Sequence, residues 1–300
     1  MYRHKPRLTV LEPKIEALPD VRPSGRQCLH RLSVLFKSVG NRVEYNRVLT
    51  YALKLHREGG DDCQAALALR SLSDVCRGTC LCKEGIQLVK EALEIYKKLG
   101  DTVGQAECSN DLAWLLCDDG QLDAAEEAAS HAIDLLPEKH EQILGCLSHR
   151  VLGRIYRSKG KIEKAIHHFE TALRIATSLN AHHEVFWIHF SLAQLLRGQG
   201  RFDDAHAHIE QGKSFAIDHT YYLARAMQLQ AKFRHEEGRL KEAKSGALHV
   251  VDVFEKLGAT KYVEDTRDLL QQIEKAKKKG EPPEIALLST HIDFPFSSRE

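Results

Sequence analysis

The sequence predicts an all-α protein in which helix–turn–helix units stack into a solenoid. Between turns, apolar residues recur at the i, i+3, i+4 and i+7 spacing of a helix, as Leu152, Ile155 and Tyr156 do. The 300 residues include only eight prolines, which permits long helices. A short turn ending in Gly recurs every 40 residues, and the last step is 38. The markers are Gly40, Gly120, Gly160, Gly200 and Gly238, with Cys80 in the one place that lacks Gly.

The residues around each marker fall into columns that repeat from unit to unit. Leu stands eight positions before the marker in five of the six rows, and Gln230 stands there in the sixth. Small residues dominate three further columns, and a period of this length indicates a solenoid of one repeated supersecondary unit. The columns are Ser33, Ser73, Ala113, Gly153, Ala193 and Ala231; Tyr45, Gly85, Ala125, Ala165, Ala205 and Ala243; and Ala52, Ala92, Ala132, Ala172, Gly212 and Val250.

Small residues in these columns predict how the two helices of a unit pack. Two helix backbones can approach closely there, and a larger neighbour such as Phe169 fills the remaining gap. One helical hairpin cannot bury its own apolar stripe, so successive units must stack. We therefore expect Gly153 and Ala165 to lie where helices touch, and Ala207 to lie off the contact.

These rows resemble the tetratricopeptide repeat (TPR) family over about residues 26–257, as six units. The resemblance implies a right-handed superhelix that binds other proteins. The unit is about 6 residues longer than the family's usual 34. Units of this length resemble those of kinesin light chains and of the sensor regions of large signalling NTPases. The matching positions are Leu152, Gly153, Tyr156, Gly160, Ala165, Phe169 and Ala172 in one row, and Leu112, Ala113, Leu116, Gly120, Ala125, Ala132 and Pro137 in another.

Signals for helix ends divide the chain into four regions. Gly100, Asn180 and Gly258 each follow a Leu, where a helix C-terminus favours a left-handed residue. One more helix is expected at about 260–277, and its small-residue column holds Gln271, which is typical of a polar capping helix. The predicted regions are a partly disordered N-terminal extension at 1–25, six repeats at 26–257, a capping helix at 258–279 and a flexible tail at 280–300.

Composition and charge exclude several classes of function. The net charge of +1 implies no bulk attraction to nucleic acid or to an anionic membrane surface. Apolar runs fall far short of the roughly 20 residues that span a bilayer. Eight cysteines occur without a secretion signal, which indicates reduced thiols and a cytoplasmic location.

No motif in the sequence predicts catalysis. The nearest approach to a phosphate loop, at 153–160, has six residues between its glycines instead of four, and the repeat explains both glycines. Cys76, Cys80 and Cys82 have a metal-like spacing, but the first and third share columns with large apolar residues, which favours packing. The 17 histidines include no zinc-helix signature. We therefore expect no metal, no cofactor and no enzymatic activity.

The resemblance places three residues from the first helix of each unit on the concave face. These eighteen positions contain eight Lys or Arg and one acid, a charge of +7 on a chain whose total is +1. Arg150, Arg154 and Arg157 share one face of one helix. The asymmetry indicates a basic groove in which Trp114 and Phe190 are apolar anchors. The candidate groove residues are Arg70, Arg77, Asn110, Trp114, Arg150, Arg154, Arg157, Phe190, Arg197 and Lys232.

Such a groove predicts a non-catalytic scaffold or adaptor that binds acidic, partly apolar peptide segments of a partner protein. The alternative for the arginines is that they are solvated or pair with acids on neighbouring helices. The alternative function is a regulatory or sensor module like that of signalling NTPases. RNA binding is a third and weaker alternative. The groove columns show no pattern in which each repeat would recognise one base. The family's clamp for a terminal carboxylate is not reproduced, since Asn110 stands in place of its Lys and Trp114 in place of its Asn.

Overall fold

The computed structural model describes residues 42–77, 81–136, 143–216, 219–257 and 259–279. Within these ranges every regular element is a helix, which confirms the all-α class. The twelve helices are α1 (Arg42–Glu58), α2 (Asp62–Arg77), α3 (Cys82–Leu99), α4 (Thr102–Asp118), α5 (Leu122–Asp134), α6 (Ile143–Ser158), α7 (Ile162–Ser178), α8 (His182–Gly198), α9 (Phe202–Ser214), α10 (Thr220–Glu236), α11 (Leu240–Leu257) and α12 (Thr260–Lys279).

The helices form two layers. Each helix packs against the helices before and after it in sequence. The even-numbered helices α2 to α12 also contact one another from unit to unit, whereas the odd-numbered helices contact only their neighbours in sequence. We call the even-numbered helices the inner layer and the odd-numbered helices the outer layer. Stacking of this kind is the predicted solenoid of helical hairpins.

Left-handed residues end the helices where the sequence predicts them. The markers Gly120, Gly160, Gly200 and Gly238 have φ between 71° and 80°, a region that favours glycine. At Gly160 the turn closes with hydrogen bonds from the Gly160 and Lys161 amides to the carbonyls of Arg157 and Tyr156, at 3.0 and 2.9 Å. Gly100 and Asn180 are also left-handed, as expected. The markers Gly40 and Cys80 and the stop signal Gly258 lie outside the described residues.

The small-residue columns lie at the helix contacts. Every described member of the three columns is buried, including Tyr45 and Val250, which take small-residue places. A Cβ added to Gly153 would lie 2.7 Å from the ring of Phe169, a fully buried side chain. The predicted pairing of a small residue with Phe169 is therefore confirmed. Ala165 is fully buried, and Ala207 is exposed.

The last described helix, α12, buries one face. Tyr262, Thr266, Leu269 and Ile273 point into the core, whereas Gln271 is exposed. The helix expected at about 260–277 thus has a polar outer side. The division into extension, six repeats, capping helix and tail stays a prediction. The segments 1–25 and 280–300, and the first helix of the first unit, lie outside the described residues.

Candidate functional site

The inner layer carries the described candidate groove residues, but it encloses most of them. Exposed fractions are between 3% and 6% for Asn110, Trp114, Arg150, Arg154, Arg157 and Phe190. The expectation of solvent-facing groove side chains is therefore wrong for these six. The physical reason is that consecutive inner helices touch, so side chains along their shared edge are covered by the next repeat. The side chain of Arg77 lies outside the described part of the chain.

Four of the candidate arginines form ion pairs that join consecutive inner helices. Arg70 on α2 contacts Glu107 and Asp111 on α4, the latter from Nε to Oδ2 at 3.0 Å. Arg154 on α6 reaches back to Asp118 on α4. The other two reach forward: Arg150 Nε lies 3.1 Å from Glu184 Oε2 on α8, and Arg197 Nε lies 3.5 Å from Glu236 Oε2 on α10.

These pairs correct the charge count made from the sequence. Much of the +7 on the predicted groove positions is neutralised, because the acids stand on the same inner helices just outside those positions. The alternative interpretation, in which the arginines pair with acids on neighbouring helices, therefore holds for Arg70, Arg150, Arg154 and Arg197. A search for acids about one repeat away from each arginine could have found these partners.

Arg70 illustrates the electrostatic effect of such a pair. Burial disfavours its charged form, but the Asp111 and Glu107 carboxylates outweigh burial and raise the pKa of Arg70. The guanidinium is thus a fixed positive charge inside a structural contact.

Trp114 is a packing platform for two of the arginines. The guanidinium carbons of Arg150 and Arg154 lie 5.0 and 4.7 Å from its ring centroid, within the range of cation–π contacts. The ring is 3% exposed. Its assignment as an apolar anchor for a partner is therefore wrong for this arrangement, since its contacts are made within the chain.

Phe190 likewise belongs to a core cluster. Its ring lies 5.4 Å from Trp187 and 6.1 Å from Phe186, and the guanidinium of Arg225 lies 5.5 Å from its centroid. The sequence analysis missed Arg225, because it is not one of the eighteen positions assigned to the concave face. It stands three residues before Gln228, which is one of them.

A second group of inner-layer cations faces amides instead of carboxylates. Arg157 donates from Nη1 to Gln194 Oε1 at 2.8 Å, and Arg225 donates from Nη1 to Gln228 Oε1 at 2.6 Å. Burial, followed by the charges of Arg154 and Arg197, lowers the pKa of Arg157 to about 9. Burial, followed by Arg225, also lowers the pKa of Lys232. Gln194 and Gln228 are among the eighteen concave-face positions but not among the candidate groove residues chosen from them.

The thiols offer little chemistry. Cys108, Cys117 and Cys146 are buried and unbridged, and burial raises the pKa of the Cys108 and Cys146 thiols to about 12. Such thiols stay protonated and are poor nucleophiles or metal ligands at neutral pH. Among the described residues, no three His, Cys, Asp or Glu side chains gather as a metal site would require, and Cys80 lies outside them. No described helix could cross a membrane, since none is both long and apolar enough.

Comparison with known proteins identifies the repeat. The model of the tetratricopeptide repeat family matches residues 63–138 and 144–216. The sequence matches no curated protein.

Solved structures share this fold. A Rap protein complexed with competence and sporulation factor has a TM-score of 0.65 at 16% identity, over 89% of this chain and 80% of that one. The Rap conjugation gene regulator of plasmid pLS20, in complex with the Phr* peptide, has a TM-score of 0.59 at 18% identity, over 89% and 80%. Kinesin light chain-type TPR-like repeats from Podosopora anserina have a TM-score of 0.51 at 17% identity, over 67% and 98%. These solved structures share the two-layered fold, and the family match identifies the chain as a tetratricopeptide repeat protein.

Proposed function

We propose that this chain is a non-catalytic interaction scaffold that holds an acidic, partly apolar peptide segment of a partner protein along its inner layer. The observation that carries the proposal is the polar and charged lining of that layer. Arg197 on α8 and Lys232 on α10 are partly exposed members of this lining, and Arg157 on α6 is a buried one. Apolar side chains on the inner layer would stack the repeats equally well. The presence of charged side chains there therefore supports a role in binding.

The structural neighbours support a peptide as the ligand class. The Rap conjugation gene regulator, which has the same fold, is described in complex with the Phr* peptide. The cytoplasmic location expected from the reduced cysteines belongs to this proposal. A regulatory module is the second candidate, and the description of that neighbour as a gene regulator favours it.

Hydrogen exchange tests the proposal. Immobilised protein captures partners from lysate, and the exchange of its amides is then measured with and without each purified partner. We expect slower exchange in α6, α8 and α10. Slower exchange confined to the outer-layer helices α7, α9 and α11 would contradict the proposal. The variant Arg174→Gln, at an exposed position of α7, should leave capture unchanged.

A further inference from the structure

The balance of charge changes along the inner layer. From α2 to α6, each described candidate arginine other than Arg157 has a carboxylate partner, as in the pairs Arg70–Asp111 and Arg154–Asp118. Near the end of α6, Arg157 has no carboxylate within the 4.0 Å of an ion pair among the described residues, and the same holds for Arg225 and Lys232 on α10. This difference separates a neutralised part of the layer from a cationic part.

The two arginines of the cationic part are deeply buried. Arg157 is 4% exposed and Arg225 is 7% exposed, and each has an amide oxygen as its acceptor. The Nε of Arg225 has no hydrogen-bond partner. Its guanidinium carbon lies 4.3 Å from the centroid of Tyr262, which orients the group without neutralising it. A buried charge left without a counter-ion destabilises the folded state.

Arg197 connects these cations into one group. Arg157 donates to Gln194, which stands one turn before Arg197 on α8, and Arg197 pairs with Glu236, which stands one turn after Lys232 on α10. Arg225 donates to Gln228, one turn before Lys232 on the same helix. We call Arg157, Arg197, Arg225 and Lys232 the cation cluster. Two acids oppose it, Glu236 beside Arg197 and Asp265 near Lys232. With all six groups ionised, four cations and two acids leave a formal excess of two positive charges.

The cation cluster is open to solvent at two members. The side chain of Arg197 is 15% exposed, and Lys232 is also partly exposed. A ligand can therefore contact Arg197 and Lys232 without unfolding a helix. Gln194 is partly exposed and adds a polar group beside Arg157, whereas Gln228 is buried beside Arg225.

We infer that the cation cluster is the contact point for a dianionic element of the bound segment, two adjacent carboxylates of an acidic residue pair. This inference rests on the proposed function and locates its acidic contact. Two carboxylates balance the two excess charges, and a guanidinium matches the two-oxygen geometry of a carboxylate. Of the arginines predicted from the sequence, Arg157 and Arg197 belong to the cation cluster, whereas Arg150 and Arg154 already have carboxylate partners.

Fluorescent peptides provide the first test on the full chain. The probe has about ten residues, with a central Glu-Glu pair among Leu, Ser and Gly, and its control has Gln-Gln in the same place. We expect the Glu-Glu peptide to bind at least about tenfold more tightly, because hydrogen bonds to charged groups exceed neutral ones by that much. Equal affinity for the two peptides would overturn the inference. A phosphoserine peptide that binds where the Glu-Glu peptide does not would overturn the carboxylate assignment.

The variant Lys232→Met separates a ligand site from a structural contact. Because the fold lowers the pKa of Lys232, its charge is destabilising in the free protein. We expect the variant to melt at a higher temperature than wild type and to bind the Glu-Glu peptide about tenfold more weakly. A lower melting temperature with unchanged peptide affinity would overturn the inference.

Failure of this inference can be told apart from failure of the proposed function. If Lys232→Met still gains inner-layer protection from a captured partner, the scaffold role stands and the cation cluster is not its acidic contact. If captured partners protect only the outer layer, the scaffold proposal fails, whatever the Glu-Glu peptide does.

Discussion

At the residue scale, the buried arginines illustrate the limit of reasoning from a repeat pattern. Helical periodicity identifies the face on which Arg150 and Arg154 lie, and the structure agrees with it. Their burial depends on how closely the next repeat approaches, which a pattern within one helix does not encode. Their acids lie about one repeat away in sequence, at Glu184 and Asp118, so no local motif reveals the pairs.

Breaking one of these pairs should destabilise the fold strongly. Arg154→Ala leaves the largely buried Asp118 carboxylate unpaired and uncovers one face of Trp114. We expect a loss of about 3 kcal/mol in the free energy of unfolding, measured in urea. The matched control is Lys256→Ala in the exposed pair with Asp252, which should cost less than about 1 kcal/mol. Equal losses would show that Arg154 is solvated.

Overpacking tests the small-residue columns. Gly153→Leu places side-chain atoms in the space that the Phe169 ring occupies, and Ala165→Leu enlarges a fully buried position. Each should cost about 1–3 kcal/mol or more of stability. Ala207→Leu adds the same side chain at an exposed position of the outer layer and should change the melting temperature little. Three equal melting temperatures would show that the repeat register is wrong.

At the element scale, two hairpins carry the same histidine pair. The Nδ1 atoms of His149 and His168 lie 2.9 Å apart between α6 and α7, and those of His189 and His208 lie 3.0 Å apart between α8 and α9. One ring must donate and the other accept, so two protonated rings cannot form the bond. His149 and His189 stand in the same column of the repeat, eleven positions before Gly160 and Gly200, and this column is thus a helix-packing feature. Their partners were not foreseen, because they lie on the other helix of the hairpin.

These pairs predict a stability that depends on pH. Burial, followed by His208, lowers the pKa of His189 to about 4, below the ordinary value of 6.5. Between these two values the unfolded chain binds more protons, so this stabilising contribution is complete above pH 6.5 and is lost as the pH falls toward 4. We expect His189 alone to cost up to about 1.4 kcal/mol per pH unit in that window. Urea unfolding at several pH values measures the slope, and His189→Gln should flatten it; an unchanged slope would contradict the assignment.

At the scale of the whole molecule, the sequence alone predicted the architecture, because the same pattern of residues occurs in six successive units. The columns predict which residues touch, and the glycine markers predict where helices end. The position of the charged site was predicted less well. It depends on the pairing of charges between repeats. Of the residues that change the balance, Gln194 and Gln228 stand in columns that have no common residue type, and Arg225 stands outside the counted columns.

The central claim is that the C-terminal part of the inner layer holds an acidic segment of a partner. A crystal structure of the full chain with a segment from a captured partner tests it most directly. We predict a pair of acidic side chains of that segment between α8 and α10, with carboxylate oxygens within 4.0 Å of Arg197 and Lys232. A segment bound across the outer layer, or bound to the inner layer with its acidic groups away from the cation cluster, would contradict the claim.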